Sequence, residues 1–290
     1  MTARSSTFSN VGPIAPGESQ LVRLGSQLET AGSNQFEVSI DADHLTEDDS
    51  AYLAIEVPDQ LEVLVIEGRD GDARYLDLAL QLQRSGYAQG LDSITLPSSA
   101  VGKQDVEVAD GVVLANVGDL PEEVVVSLME RVYGGGGLIV YAGDQMDDFA
   151  TERILGRLMP VSFLSTVNPE SGERHQLRLA GQPNRINQEL SRLEAEISDC
   201  IVRGYHELKP TNQAKVVLGL SNGKPLLLTQ NAGKGKVAFF ATGPGREWST
   251  LPPNPAGPIL LHLLLDELSS GGIQRTFLVG ESMEFEVSSS

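Results

Sequence analysis

The chain has 290 residues, of which 40% are hydrophobic and 21% are charged, and its formal net charge is −19. Such a composition is that of a globular protein, because disordered chains combine few apolar residues with a high charge. The excess of 40 acidic over 21 basic residues excludes nucleic acid as an expected partner, since neutralising phosphates requires clustered Lys and Arg.

Residue counts exclude two further classes of protein. The single cysteine, Cys200, cannot form an intramolecular disulfide, and it excludes metal sites built from several cysteines. No apolar run approaches the roughly 20 residues that cross a bilayer, so we expect no direct membrane insertion by this chain. We find no cofactor motif and expect no cofactor, while the sequence leaves the oligomeric state open.

Residues 1–59 are predicted to form a short β segment, either the tail of a β-sandwich or an apron on the domain that follows. They hold ten acidic residues against Arg4 and Arg23. Alternating or apolar-rich runs predict strands at 20–23, 35–40 and 51–57. Three strands seldom make a stable domain alone, so the segment is expected to depend on neighbouring structure.

Residues 60–272 are predicted to form one α/β domain. Apolar runs predict strands at 61–66, 91–96, 111–117 and 138–142, and helical spacing predicts helices at 73–85 and 119–133. Asp119 is the expected N-cap of the second helix, with proline and two acids following it. Strands that alternate with helices through short loops predict a doubly wound, mostly parallel sheet.

The rest of this domain is predicted to be mixed. Helices are expected at 146–159, 187–201 and 254–268, with a loop at 166–183. Runs at 214–220, 225–230 and 236–242 are separated by hairpin turns, one of which contains Asn222-Gly223, and they predict an antiparallel meander. Residues 273–290 are predicted to be an exit strand into a following domain.

Polar residues follow several of the predicted parallel strands. They are Arg69, Asp70 and Asp72 after the first strand, Asn116 and Asp119 after the third, and Asp144 after the fourth. Ligands of open α/β sheets bind beyond the carboxyl ends of the strands, so these six are candidate ligand-binding residues. Their oxygens suit Mg²⁺ or Ca²⁺, but the carboxylates also suit helix caps and turns, and we assign no metal ligand.

A loop at 243–253 supplies two more candidates, Arg246 and Trp248. Tryptophan and arginine together in a Gly/Pro-rich loop are typical of contact surfaces, although Trp248 also suits a plug that holds the loop on the domain.

Three other features favour structural roles. Gly134–Gly137 lies between a helix and the following strand, the reverse of a phosphate-binding loop. Cys200 is expected to be a semi-buried thiol and His262 a core residue, so we assign no catalytic residue.

Several motifs occur in an order that resembles a known family. They include Val-Leu-Val-Ile-Glu-Gly-Arg, Gly-Gly-Gly-Leu-Ile-Val-Tyr-Ala-Gly-Asp, Gly-Lys-Gly-Lys-Val-Ala-Phe-Phe-Ala-Thr and Trp-Ser-Thr-Leu-Pro. Over residues 40–270 the chain resembles the class I glutamine-amidotransferase-like domain of bacterial membrane-anchored proteins related to the aerotolerance-operon group, which often contain a von Willebrand factor A domain. The resemblance implies an amidotransferase- or flavodoxin-like sheet.

The resemblance also implies a location and a role. It implies a soluble fragment of a membrane-anchored parent on the periplasmic or extracytoplasmic side. True amidotransferases carry a nucleophilic cysteine after the fourth strand, where this chain has Gly143-Asp144. We therefore expect a non-enzymatic scaffold or interaction domain of a larger cell-envelope protein, whose partners are other domains of that parent or envelope proteins. The alternative is a domain that binds a sugar or a divalent metal in the acidic strand-end crevice, with hydrolysis as an extension.

Overall fold

The structure is a computed structural model that describes residues 10, 12–13, 32–41, 50–57, 60–82, 90–159, 161–181 and 185–269. The chain divides into two compact units, which we call the hairpin unit (Met1–Asp59 with Arg84–Gln89) and the α/β unit (Gln60–Gln83 with Gly90–Ser290). The domain boundaries expected from sequence at 59/60 and 272/273 stay predictions. No helix in the described ranges has the length and hydrophobicity needed to span a membrane.

Two strands make up the described part of the hairpin unit. Strand β1 (Gly32–Ser39) pairs antiparallel with β2 (Ser50–Val57), and Phe36 stands opposite Leu53. Across the pair, the Tyr52 hydroxyl donates to a Glu37 carboxylate oxygen at 3.2 Å. The strands predicted at 35–40 and 51–57 are therefore confirmed, while the strand at 20–23 lies outside the described residues.

The α/β unit contains the other elements. The strands are β3 (Gln60–Glu67), β4 (Gly90–Pro97), β5 (Gly111–Ala115), β6 (Gly137–Tyr141), β7 (Ser162–Val167), β8 (His175–Leu179), β9 (Ile201–Val202), β10 (Tyr205–Lys209), β11 (Lys215–Leu220), β12 (Pro225–Ala232) and β13 (Gly235–Phe240). The helices are α1 (Arg74–Leu80), α2 (Lys103–Val108), α3 (Glu122–Gly134), α4 (Asp148–Leu155), α5 (Arg185–Leu190), α6 (Glu194–Ser198) and α7 (Ala256–Ser269).

One mixed sheet organises these elements. Within the described residues it has nine strands in the order β4-β3-β5-β6-β13-β12-β11-β8-β9. Strands β4, β3, β5, β6 and β13 pair in parallel, and β13, β12, β11, β8 and β9 pair antiparallel. The predicted meander is confirmed, and β13 joins it to the parallel half beside β6. The mixed α/β class is observed, whereas the doubly wound arrangement of the helices stays a prediction.

The central strands form because their side chains are apolar on both faces. All five residues of β5 and of β6 are buried, as expected for parallel strands covered on both sides. Helix α3 follows β5, and its C-cap residue is Gly135, whose φ of 124° is a conformation that favours glycine. Glycine therefore has the structural role expected for Gly134–Gly137.

The N-cap prediction for α3 is wrong. Pro121 occupies the N-cap position, and the Asp119 carboxylate instead accepts a hydrogen bond from the guanidinium of Arg153 on α4. The same guanidinium also donates to the Leu120 carbonyl oxygen. The Asp119 carboxylate, which the local sequence predicts as a helix cap, therefore pairs with Arg153 on another helix instead.

The region between β6 and the meander also differs from expectation. The predicted loop at 166–183 contains β8 and the end of β7, and β7 pairs antiparallel with β10. Residues 185–198 fold as α5, a short 3-10 turn and α6 rather than as one helix to Ile201. Most side chains of β7 are exposed, so the apolar pattern that reveals a buried strand is missing there. The predicted exit strand at 273–290 lies outside the described residues.

Candidate functional site

The ends of three adjacent parallel strands bring polar residues together. Strand β3 is followed by Arg69 and Asp72, β5 by Asn116, and β6 by Asp144 and Gln145. Because β3, β5 and β6 are neighbours and run in the same direction, their carboxyl ends meet at one edge of the sheet. We call these five residues the strand-end cluster.

Asn116 is the centre of the strand-end cluster. Its side-chain nitrogen Nδ2 donates to Asp72 Oδ2 and to Asp144 Oδ1, each at 3.0 Å. Its Oδ1 accepts from the backbone N–H of Gln145 at 2.9 Å, and its backbone oxygen accepts from Gln145 Nε2 at 3.1 Å. The Asn116 amide therefore links the turns that follow β3 and β6.

The backbone of Asn116 adopts an uncommon conformation. Its φ is 56°, in the left-handed region, and it is the only described residue other than glycine with a positive φ. Asparagine tolerates this region better than most residues, but the conformation is still less stable than the extended one. Only 2% of Asn116 is exposed, so the surrounding contacts maintain the conformation. Residues held in such conformations cluster at functional sites.

Glycine allows the turns to approach Asn116 closely. A Cβ added at Gly143 would lie 2.9 Å from Asn116 Cβ and still closer to Cγ and Oδ1. A Cβ at Gly68 would collide with the backbone oxygen of Asn116. Both positions therefore need glycine because of contact distance, since neither has a positive φ.

An ion pair lies at the open side of the cluster. Arg69 Nη2 is 2.6 Å from Asp144 Oδ2, and the two side chains are 55% and 48% exposed. At this exposure the pair contributes at most about 1 kcal/mol to stability, because water screens both charges. The two charged groups therefore present both a donor and an acceptor to solvent.

The two carboxylates of the cluster differ in their proton affinity. Burial raises the pKa of Asp72, and hydrogen bonds from Asn116 and from the Arg69 backbone offset only part of that rise. Burial also acts to raise the pKa of Asp144, but the hydrogen bonds from Arg69 and Asn116 outweigh it, so the pKa of Asp144 is lowered. Asp72 and Asp144 are thus neighbouring carboxyl groups with pKa values shifted in opposite directions.

The strand-end cluster contains four of the eight residues predicted from sequence: Arg69, Asp72, Asn116 and Asp144. Asp70 lies in the turn after β3 and is exposed, and among the described residues no hydrogen bond or ion pair joins it to the others. Asp119 pairs with Arg153 and is therefore not a member. In the ranges that the structure describes, no three His, Cys, Asp or Glu side chains are placed to hold a metal ion.

The two candidates from the loop at 243–253 have different surroundings. Arg246 is exposed and lines a crevice with Arg203 and Glu247. Trp248 is only 4% exposed, and its ring stacks on the His206 ring with centroids 5.6 Å apart. Trp248 therefore holds the loop on the domain, the structural alternative named above.

Sequence reasoning did not select His206, which supports the turn after β6. His206 is 3% exposed and its ring stacks on Phe163 at a centroid distance of 4.3 Å. Its Nε2 lies 3.0 Å from the Gly143 oxygen and its Nδ1 lies 2.9 Å from Thr166 Oγ1. Since a carbonyl oxygen only accepts, Nε2 carries the proton and Nδ1 accepts from the threonine hydroxyl. No sequence spacing links residues so far apart in the chain.

Cys200 and His262 have the structural roles expected from sequence. Cys200 is fully buried, its thiol donates to the Glu196 oxygen, and burial raises its pKa to about 11. The His262 ring nitrogen Nε2 lies 2.9 Å from the oxygen of Ala79, so the buried imidazole has a hydrogen-bond partner. Neither residue belongs to the strand-end cluster.

Comparisons with known proteins identify similar folds but no family. No protein-family model matches the chain, and no curated protein matches it. Cytoplasmic protein STM1381 from Salmonella typhimurium LT2 aligns with a TM-score of 0.55 and 16% identity, over 82% of this chain and 97% of its own. Cytoplasmic protein STM3548 from Salmonella typhimurium aligns with a TM-score of 0.51 and 18% identity, over the same shares.

A ThuA-like protein from Parabacteroides merdae is a weaker structural neighbour. It aligns with a TM-score of 0.48 and 16% identity, over 75% of this chain and 93% of its own. At this TM-score the likeness alone assigns no fold family to the chain. Nothing in the comparisons supports the resemblance to aerotolerance-related, membrane-anchored proteins.

The expected location is also wrong. The sequence resemblance implied an extracytoplasmic fragment of a membrane-anchored parent, whereas both Salmonella neighbours are called cytoplasmic proteins. At identities of 16% and 18% these neighbours share the α/β fold with the chain, and the likeness extends to nothing more.

Proposed function

We propose that the strand-end cluster binds a small polyhydroxylated molecule of the sugar class. The proposal rests on the conformation and contacts of Asn116. This buried residue has a left-handed backbone conformation and donates hydrogen bonds to two carboxylates, which lie beside an exposed arginine. The cluster lies beyond the carboxyl ends of parallel strands, where α/β sheets bind their ligands.

Hydrogen-bonding chemistry selects this class of ligand. Asp144 offers acceptor oxygens and Arg69 offers N–H donors, and both side chains are about half exposed. A sugar hydroxyl donates and accepts at once, so adjacent hydroxyls can satisfy a carboxylate and a guanidinium together. A divalent cation suits the cluster less well, because the Arg69 guanidinium already occupies Asp144 Oδ2.

The proposal replaces the scaffold role that the sequence resemblance favoured. No contact in the described residues and no comparison supports that role. Glutaminase chemistry also lacks support, because the position after β6 holds Asp144 and Cys200 is buried elsewhere. The proposed partner is therefore a small molecule, and the other domains or envelope proteins expected from sequence stay predictions.

Calorimetric titration of the full chain with a panel of mono- and disaccharides tests the proposal. Asp144→Asn removes the exposed negative charge and is expected to weaken binding about tenfold or more, the loss of one charged hydrogen bond. Asp70→Asn is the matched control, since Asp70 lies in the same region but outside the cluster, and it leaves binding unchanged. Absence of heat with every sugar, or equal affinities for the two variants, contradicts the proposal.

Acid–base hydrolysis is a second candidate, and the opposite pKa shifts of Asp72 and Asp144 favour it. Two carboxyl groups with separated pKa values can act as a proton donor and an ionised partner. Their facing oxygens each lie 3.0 Å from Asn116 Nδ2, so they are within twice that distance of one another, compatible with the paired carboxyls of glycosidases. Nitrophenyl glycosides test this candidate. Hydrolysis that Asp72→Asn and Asp144→Asn both abolish supports it, and no hydrolysis by the wild-type protein overturns it.

A further inference from the structure

A second group of polar residues, separate from the strand-end cluster, lines an open crevice of about 520 Å³. Its walls are Tyr75 on α1 together with Arg203, Arg246, Glu247, Thr250 and Pro253. We call it the arginine crevice. Its volume lies within the range of small-molecule sites, and it shares no residue with the strand-end cluster.

Two arginines of the crevice have no acidic partner. Among the described residues, no carboxylate oxygen lies within 4.0 Å of the guanidinium nitrogens of Arg203 or Arg246. The protein has 40 acidic and 21 basic residues, yet no carboxylate neutralises either of these two neighbouring arginines. With Glu247 the crevice carries three charged side chains, two positive and one negative.

Backbone hydrogen bonds fix the segments that carry these arginines. The Arg203 and Gly204 N–H groups both donate to the Trp248 oxygen, at 2.7 and 3.1 Å. The Thr250 N–H donates to the Ile201 oxygen at 2.9 Å, and Thr250 Oγ1 accepts from the Ile201 N–H at 2.8 Å. The segment around β9 and the loop at 243–253 are therefore joined side by side.

The Arg203 side chain is also held in place. Its Nη1 donates to the backbone oxygen of Arg246 at 2.9 Å, and that bond keeps the two arginine residues adjacent. Among the described residues, neither the remaining N–H groups of Arg203 nor the guanidinium of Arg246 makes a hydrogen bond that would compete with a ligand. Guanidinium groups bind carboxylates and phosphates through paired N–H donors, so a small oxyanion is the complementary ligand.

We propose that the arginine crevice binds the oxyanion group of a small metabolite, a carboxylate or a phosphate. Arg246 and Arg203 hold the anion, while the rings of Tyr75 and Pro253 form the less polar wall for the rest of the molecule. Glu247 opposes any anion in the crevice and so limits both its charge and its affinity. The site rests on contacts independent of the proposed sugar-binding function.

Titration of the full chain with inorganic phosphate and with succinate, at constant ionic strength, tests the proposal and distinguishes the two anions. Arg246→Gln is expected to weaken binding of the preferred anion about tenfold, the loss of one charge-assisted interaction. Glu247→Gln strengthens binding, because it removes the like charge. Arg178→Gln is the matched control on strand β8 and leaves binding unchanged.

The possible outcomes distinguish failure of the arginine-crevice proposal from failure of the sugar-binding proposal. Saturable binding that falls in Arg246→Gln and rises in Glu247→Gln supports the crevice, even where Asp144→Asn and the sugar panel show nothing. No saturable binding of either anion at concentrations up to about 10 mM, or equal weakening by Arg246→Gln and Arg178→Gln, overturns it. Arg203→Gln is judged only if its urea midpoint matches that of the wild type, because Arg203 also supports the loop through its bond to Arg246.

Discussion

Asn116 is the residue whose replacement tests the strand-end cluster most sharply. Asn116→Ala removes the Nδ2 group, which donates one hydrogen bond to Asp72 and one to Asp144. It also removes Oδ1, the acceptor for the Gln145 N–H. It also leaves a non-glycine residue in a left-handed conformation that alanine tolerates less well than asparagine. Asn116→Gly removes the same hydrogen bonds without that backbone cost.

The expected loss of stability follows from these contacts. An unpaired buried N–H costs about 1–3 kcal/mol, and each bond to a half-exposed carboxylate adds about 0.5–1 kcal/mol, because water replaces part of it. The left-handed conformation adds about 1 kcal/mol for alanine. We therefore expect Asn116→Ala to lower the free energy of unfolding by about 3–6 kcal/mol, and Asn116→Gly to lower it by about 1 kcal/mol less.

Urea denaturation followed by tryptophan fluorescence measures this loss in the relevant unit, since the one tryptophan, Trp248, lies in the α/β unit. Asn231→Ala on strand β12 is the control, because Asn231 is exposed, and its free energy of unfolding is expected to change by less than about 0.5 kcal/mol. Equal small effects of Asn116→Ala and Asn231→Ala would refute the reasoning. A second readout is the pKa of Asp72, which rises further in both Asn116 variants because a hydrogen bond to its carboxylate is lost.

Gly143→Ala places a Cβ against the Asn116 side chain and is expected to lower the free energy of unfolding by about 1–3 kcal/mol. Gly134→Ala is the control, because a Cβ there contacts no other atom, and it is expected to cause no such loss. Urea denaturation midpoints measure both variants. Burial lowers the pKa of His206 in the folded protein below its unfolded-state value of about 6.5. The neutral imidazole therefore contributes its full stabilisation above about pH 6.5, and this contribution is lost as the pH falls through the pKa of the folded state. Urea midpoints measured from about pH 7 to pH 5 therefore decline, and His206→Phe reduces the decline; an unchanged slope contradicts the assignment. Burial raises the pKa of Cys200 to about 11, so a thiol reagent near neutral pH modifies it only after urea unfolding, and rapid native labelling would contradict its burial.

The sequence predicts those parts of the fold that depend on a pattern within one short segment, such as an apolar run or a turn dipeptide. The apolar runs that became β5 and β6 are unambiguous, because both faces of each strand are buried. The Asn222-Gly223 turn predicts the β11–β12 hairpin, and Gly223 has the positive φ of 83° that such a turn requires. The strand-end rule then predicts that Asp72, Asn116 and Asp144 meet, without any side-chain geometry.

The features that sequence missed depend on partners distant in the chain. Asp119 has the sequence context of a helix cap, but Arg153, 34 residues later, binds its carboxylate instead. His206 contacts the Gly143 oxygen across 63 residues, and β7 is stabilised by pairing with β10 rather than by its own apolar pattern. The central role of Asn116 likewise depends on a backbone conformation that its residue type permits but does not require.

A nuclear magnetic resonance titration of the full chain tests the proposed sugar site most directly. The observed signals are the side-chain amides of Asn116 and Gln145, which report on the strand-end cluster itself. We predict saturable shifts of these two amides and of the backbone amides of the turns after β3 and β6 when a sugar from the panel is added. Saturation elsewhere on the chain while both side-chain amides stay unmoved, or no shift with any sugar, would contradict the proposed binding site.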